Sequence, residues 1–218
     1  MIKYRNPHPY EGKIPEFEKD YRYRCVGQIT DDISLHLSKL NWGGSSVGRS
    51  VHERHIDDET RHQYENYTAE NTEFDHITPE KGSFFDKLGE MTRLGKPEVI
   101  VARMQPGRFT VRHQDFYNSY RKRQGINNIT NNEVHKYVRR YWIPLEDWHS
   151  GHYYETNNQP IIGWSAGQVY SGPGDHPHLA ANAGLTHRYF CIITGLINNN
   201  MFGDTEFEET KILHDNKK

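Results

Sequence analysis

His113 and Asp115 stand two residues apart at the end of the run Phe109-Thr-Val-Arg-His-Gln-Asp115, which reads as a β-strand. In a strand, residues i and i+2 project from one face, with Cα atoms roughly 6.5–7 Å apart. An imidazole and a carboxylate so placed can converge on one metal ion. A second histidine would complete a set of two imidazoles and one carboxylate, which leaves adjacent positions open and suits non-haem Fe(II) working with O2. Three late histidines are candidates: His176, His178 and His187. His178 follows a proline and opens an apolar stretch, where a strand would fix its rotamer. His176 sits in a Gly-Pro-Asp loop and reads as solvated surface. His187 directly precedes Arg188, so on a strand the two face opposite ways.

Arg188 is the informative charge, because it opens the apolar run Tyr189-Phe-Cys-Ile-Ile-Thr194. Pointing inward, it would be costly to bury without a partner. A bound carboxylate would relieve that cost, since the guanidinium fork matches two carboxylate oxygens. Pointing outward, it is a solvated edge arginine. Strand alternation alone leaves both readings standing.

Eight short apolar runs surround these residues: Val99–Met104, Phe109–Asp115, Tyr137–Leu145, His152–Glu155, Pro160–Trp164, Gln168–Ser171, His178–Ala183 and His187–Leu196. Turn signals separate them, among them Pro106-Gly107 and Asn157-Asn158. Evenly spaced short strands point to a sandwich or barrel, and eight is the count of a jelly roll, the architecture that includes the cupins. Upstream, Asp31–Leu40 offers an amphipathic helix capped by Thr30 or Asp31, although Leu35-His-Leu37 also alternates like a strand. Ser83 caps a second helix with Phe84, Leu88 and Met91 on one face and Gly95 at its end. Between them, 41–82 is dense in polar residues and reads as a long loop, a lid or binding loop in the functional sense. His52, His55 and His62 lie there without an apolar stripe. The expected organisation is an N-terminal helical and loop region, 1–95, packed on a mainly β core, 96–197, with a polar extension, 198–218.

Composition narrows the function classes. The 218 residues suit one domain, and 12% aromatics, with 14 tyrosines, mark a folded chain despite only 34% hydrophobic residues. A formal charge of −2 leaves no footprint for nucleic acid or an anionic membrane. Arg121-Lys-Arg123 is too short a basic run to argue otherwise and reads as a solvated connection. Cys25 and Cys191 are far apart, so reduced thiols and a cytoplasmic setting are expected, with no apolar leader or membrane span.

Pro106-Gly107, the pair His113-x-Asp115, the distal His178, Asn182 four residues on and Arg188 ten on together resemble the Fe(II)/2-oxoglutarate-dependent oxygenase superfamily, in its aspartyl/asparaginyl- and prolyl-hydroxylase-like branches. The resemblance covers roughly the C-terminal half of the chain. It implies a double-stranded β-helix (a jelly-roll variant), His113, Asp115 and His178 as iron ligands, and Arg188 as clamp for the distal carboxylate of 2-oxoglutarate. It further implies that O2 and the co-substrate use the open positions, that succinate and CO2 are released, and that a C–H bond is hydroxylated. Asn182 belongs to the same cofactor-binding pattern. In the aspartyl/asparaginyl branch the third core strand carries Arg-x-His for the co-substrate; here Arg140-Tyr-Trp142 keeps the arginine and has tryptophan in the second place. Its indole N–H can donate a hydrogen bond or its ring can be core. Only one of Arg139 and Arg140 can face the cavity, and Arg140 matches the pattern. Tyr117, Trp148, His149 and His152 are candidates for the rim.

Two other readings compete. A cupin-type metalloprotein would use the same barrel and metal without 2-oxoglutarate. A non-enzymatic β-sandwich would have His113 and Asp115 merely hydrogen-bonded to each other, with no response to metal. Substrates open to the oxygenase reading include small molecules and amino-acid or protein side chains.

Overall fold

The computed structural model describes residues 24–44, 46–49, 73–92, 94–113, 115–126, 128–130, 134, 137–172 and 177–197. His52, His55, His62, His176, the extension 198–218 and positions 50–72 of the expected loop lie outside them.

The described strands are β1 (Arg24–Gln28), β2 (Ser46–Arg49), β3 (Glu73–Ile77), β4 (Gly95–Met104), β5 (Arg108–His113), β6 (Val138–Pro144), β7 (His152–Thr156), β8 (Gln159–Ile161), β9 (Gln168–Gly172), β10 (His178–Asn182) and β11 (Arg188–Leu196). The helices are α1 (Ile33–Leu37), α2 (Phe84–Met91) and α3 (Asn118–Gln124). One antiparallel sheet runs β1-β9-β6-β11-β4-β3-β2 and the other β5-β10-β7-β8. All eight expected runs therefore contain a strand, although β8 ends at Ile161 and leaves positions 162–164 of its run outside it. From β4 onward the chain passes from sheet to sheet so that β4, β11, β6 and β9 face β5, β10, β7 and β8, the winding of a double-stranded β-helix. Ala102, Met104, Trp142 and Phe190 from the first sheet pack with Tyr154 and Ala180 from the second, which makes the barrel interior one core.

The strands at the middle of the larger sheet, β4, β6 and β11, are covered on both faces, which is why they read as almost continuous apolar runs. Along β11, Arg188 and Phe190 face into the barrel while Cys191 and Ile193, both wholly buried, face the other way. That outer face packs with Val99, Val101, Tyr141 and Ile143 beneath Phe85 and Leu88 of α2 and Ile33 of α1. Gly89 lets the helix approach the sheet, since a Cβ there would lie 2.8 Å from Val99 Cγ2. In the smaller sheet, β7 buries His152, Tyr154 and Thr156 and leaves Tyr153 and Glu155 half-exposed.

The turn chemistry holds. Gly107 has φ +81, and Arg108 N–H donates to Gln105 O at 3.2 Å, a turn with Pro106 in its second place. Asn157 and Asn158 both adopt positive φ, 48 and 61, as a two-residue hairpin requires.

Other expectations are corrected. Asp32, not Thr30 or Asp31, caps α1 by accepting Leu35 N–H at 3.2 Å, and Leu35–Leu37 is helical. Ser83 does cap α2, but its most buried side chains are Phe85 and Leu88, with Phe84 and Met91 at the edge, and Gly95 opens β4 instead of ending the helix. The region 1–95 is not only helical and looped: β1, β2 and β3 extend the larger sheet. Within β3, Asp75 opposes Arg103 of β4 and accepts from its Nε at 2.7 Å. The basic stretch 121–123 belongs to α3, where it lies near the negative helix end, and Gly125 closes the helix with φ +72.

Candidate metal centre

His113 ends β5 and Asp115 follows it outside the strand, so the pair does not share one strand face as the i, i+2 spacing predicted. A β-bulge achieves the convergence instead. His113 opposes His178 while Thr110 opposes Ala180, so between these pairs two residues of β5 match one of β10. The extra residue turns both Thr110 and His113 to the interior, and Thr110 Oγ1 accepts Ala180 N–H at 2.8 Å. The ligand atoms of His113, Asp115 and His178 all lie within 4.8 Å of one another. His113 Nε2 is 4.0 Å from Asp115 Oδ1, and His178 Nε2 is 3.4 Å from Asp115 Oδ2. Two imidazoles and one carboxylate at this spacing could hold a metal ion. The carboxyl is partly desolvated, which opposes ionisation, but Arg140, then His178 and His113, outweigh this and hold it well below the usual carboxylate range.

Register settles which arginine of β6 faces this group. Arg140 opposes Thr194, pairs with the Asp115 carboxylate and donates from Nε to Thr194 Oγ1 at 3.1 Å. Arg139 turns away and donates to Ser171 Oγ at 3.3 Å. The Arg140 guanidinium also lies 4.7 Å above the ring of Tyr117, a buried residue held at φ +52, which is uncommon for an aromatic side chain. Tyr117 thus lies under Arg140, not on the rim.

The strands place further side chains at successive depths. His178 pairs with Thr156; Ala180 with Tyr154; Asn182 with His152. Four residues of strand, roughly 13 Å, therefore separate the ligand end of the barrel from the end where Asn182 lies. Arg188 starts from that far end, opposite Met104, and reaches back toward the middle. Its side chain is only 1% exposed, and among the described residues Nε, Nη1 and Nη2 all lack a hydrogen-bond partner. The guanidinium carbon lies 5.0 Å from the ring of Phe190, 5.4 Å from Trp142, 5.5 Å from Trp164 and 5.8 Å from Tyr154. Burial pushes it down from 12.5 to about 10, with Tyr154 and Glu146 pulling weakly the other way. Tyr154 bridges the two ends, since its ring is also 6.2 Å from that of His178. His187, as alternation required, faces out beside Tyr189.

Several sequence-predicted residues are held in place by contacts with their neighbours. Asn182 is 1% exposed and its amide donates to Met104 O and Thr186 O, both at 2.8 Å, while Oδ1 accepts Gly184 N–H at 3.0 Å. Its side chain ties the β10–β11 turn to β4, so both of its donors are engaged with the backbone. His152 is a buried interior residue, and Trp148 donates its indole N–H to the His152 carbonyl at 2.8 Å. Trp142 is in the barrel, stacked on Tyr154 with centroids 4.7 Å apart. The sequence reading passed over Tyr154 and Trp164. Tyr154 was reachable, being i+2 from His152 on one strand face; Trp164, at the end of an expected strand, lies instead in the connection between β8 and β9.

The chain matches no protein-family model and no curated protein. Among solved structures it is similar to a predicted oxalate decarboxylase of Thermotoga maritima, with 14% identity over 57% of this chain and 82% of that one and a TM-score of 0.35. It is also similar to a cupin-superfamily sugar phosphate isomerase of Silicibacter pomeroyi, with 12% identity, coverage of 56% and 59%, and a TM-score of 0.34. A cupin domain of Bordetella pertussis Tohama I is 17% identical over 47% of this chain and 82% of that one, with a TM-score of 0.31. No described helix is long and apolar enough to cross a membrane.

Proposed function

We propose that this chain is an Fe(II)- and 2-oxoglutarate-dependent dioxygenase that hydroxylates a C–H bond of a small-molecule, amino-acid or protein side-chain substrate. 2-Oxoglutarate, O2 and R–H become succinate, CO2 and R–OH, one oxygen atom entering succinate and the other the product. The observation that carries the reading is Arg188, a buried guanidinium with three unpartnered nitrogens inside the barrel that bears the two-histidine, one-carboxylate cluster. A cation buried this way costs free energy without a counter-charge, and the distal carboxylate of a bound ketoacid would satisfy it.

His113, Asp115 and His178 would hold the iron, which when bound supplies the redox chemistry linking ketoacid oxidation to O2 reduction. Arg140, paired with Asp115 and bonded to Thr194, would keep that carboxylate oriented and ionised. Trp142, Tyr154, Trp164 and Phe190 wall the space around Arg188 and would keep water from it. Arg188 would then fix the far end of the co-substrate by a bidentate pair.

The test is an anaerobic titration of the metal-free protein with Fe(II) and then 2-oxoglutarate, watching for the weak visible charge-transfer band expected of a chelated ketoacid. The band should be absent in His178→Ala and should require far more ketoacid in Arg188→Ala. Fe(II) binding without any band would instead support a metalloprotein of other chemistry, and no metal binding would end the proposal.

A further inference from the structure

Arg188 is not the only buried donor without an acceptor in this part of the barrel. Trp164 is 3% exposed and its Nε1 also lacks a partner. A buried indole N–H ordinarily finds an acceptor, because leaving it unmet forfeits its hydration. The ring is well positioned. Trp164 O accepts Trp148 N–H at 2.9 Å, and the ring stands edge-on to Trp142 at 5.2 Å and nearly parallel to His152 at 6.4 Å. The Arg188 guanidinium carbon is 5.5 Å from its centroid. The nearby carboxylate, Glu146, does not serve either donor: Oε1 accepts Tyr189 N–H at 2.9 Å and lies 3.7 Å from His152 Nδ1. Three nitrogens on Arg188 and one on Trp164, without a partner among the described residues, thus lie around one group of aromatic rings, with His152 Nδ1 beside them.

A guanidinium fork uses one lone pair on each oxygen of a carboxylate and leaves others free. A single carboxylate can therefore satisfy Arg188 and still accept from an indole. We propose that Trp164 is a specificity-determining residue whose Nε1–H, together with Arg188, binds the distal carboxylate of 2-oxoglutarate. The proposal rests on the oxygenase reading above, and it moves the indole donor expected at Trp142 to a residue from a different strand connection. Trp142 then serves as a wall.

The test compares 2-oxoglutarate with 2-oxopentanoate, which has the same chelating end and chain length but no distal carboxylate. Both are titrated by calorimetry into the full chain loaded with Zn(II) as a redox-inert stand-in. Trp164→Phe keeps an aromatic wall and deletes the donor. It should weaken 2-oxoglutarate about tenfold, as expected for a hydrogen bond to a charged group, and leave 2-oxopentanoate and Zn(II) affinities unchanged. In wild type, the Trp164 indole ¹⁵N–H resonance, identified by its loss in the variant or from backbone assignment, should shift on saturation with 2-oxoglutarate and not with 2-oxopentanoate. Equal weakening of both ketoacids would assign Trp164 a packing role and overturn the proposal. So would unchanged 2-oxoglutarate affinity in Trp164→Phe alongside a loss in Arg188→Ala, with the oxygenase reading intact. Should the variant fail to fold, an unmoved Trp164 resonance at saturation overturns the proposal by itself. Absence of 2-oxoglutarate binding to the wild type would remove both readings together.

Discussion

Replacing Arg188 by methionine should make the metal-free protein more stable, although it removes the largest wholly buried side chain. Burial lowers the guanidinium from 12.5 to about 10, and at about 1.4 kcal/mol per pH unit this difference is about 3 kcal/mol against the charged form. The sign follows from linkage: a base whose folded value is depressed destabilises the fold wherever it is charged. The penalty is therefore complete below about 10 and is relieved as pH rises from there toward 12.5. The surrounding rings return part of it, at about 0.5–1 kcal/mol for a well-placed cation–π contact, and only Phe190 comes as close as 5.0 Å. Methionine retains most of the stem packing and carries no charge. The net gain should be about 1–2 kcal/mol, within the range seen when buried ions give way to apolar residues. For a chain of this size that is a rise of roughly 2–8 °C in Tm. Calorimetric unfolding of both proteins at neutral pH, with and without Zn(II) and 2-oxoglutarate, provides the measurement. The variant should unfold later when empty and gain little from the ketoacid. A variant at least 1 kcal/mol less stable than wild type when empty would mean that Arg188 is satisfied without ligand, and the reasoning from its orphaned nitrogens would fail.

Other substitutions separate the roles of the remaining residues. Fe(II) or Zn(II) at 100 times its Kd should stabilise the wild type by about 2.7 kcal/mol, a gain removed by chelation and absent in His178→Ala; metal-independent unfolding of the wild type would refute the cluster as a site. Asn182→Ala strips partners from Met104 O, Thr186 O and Gly184 N–H, so a loss of about 2–4 kcal/mol is expected in denaturant unfolding. Any fraction that stays folded should bind 2-oxoglutarate normally, and a selective loss of ketoacid affinity would return Asn182 to the ligand. Glu98 is lowered from 4.5, with burial opposing and Arg123 and Gln124 outweighing it. Its contribution is therefore present above that pH and lost as pH falls through the lowered value. The pair with Arg123 is partly exposed, so Glu98→Gln should cost under about 1 kcal/mol at pH 7 and nothing in strong acid. A neutral-pH cost well above that figure would contradict the exposed-pair account.

The core strands were legible because their local signals agree with the global fold. Pro106-Gly107 and Asn157-Asn158 set turn types by backbone geometry alone, and the two-faced burial of the larger sheet shows directly as apolar runs. The added strands had no such signal: β3 is Glu-Phe-Asp-His-Ile, and it is held by pairing with β4 and β2 and by the Asp75–Arg103 bridge, which only the fold brings together. The α3 stretch was similarly opaque. Its burial rests on Tyr120, whose hydroxyl donates to Lys96 O at 2.9 Å, a contact across 24 residues.

At the site, the residue types that meet were legible in the chain as two histidines and an aspartate, and alternation required Arg188 and His187 to face opposite ways without saying which turns inward. Tertiary structure decided how they meet. A bulge in β5, invisible in an apolar run, turns His113 inward, and pairing with β11 selects Arg140 over Arg139. It also decided that Asn182 ties a turn and that Trp164 closes on Arg188. Periodicity assigns a side chain to a face within one element; which faces share a cavity, and which buried donors are left without an acceptor, depends on register between strands far apart in the chain.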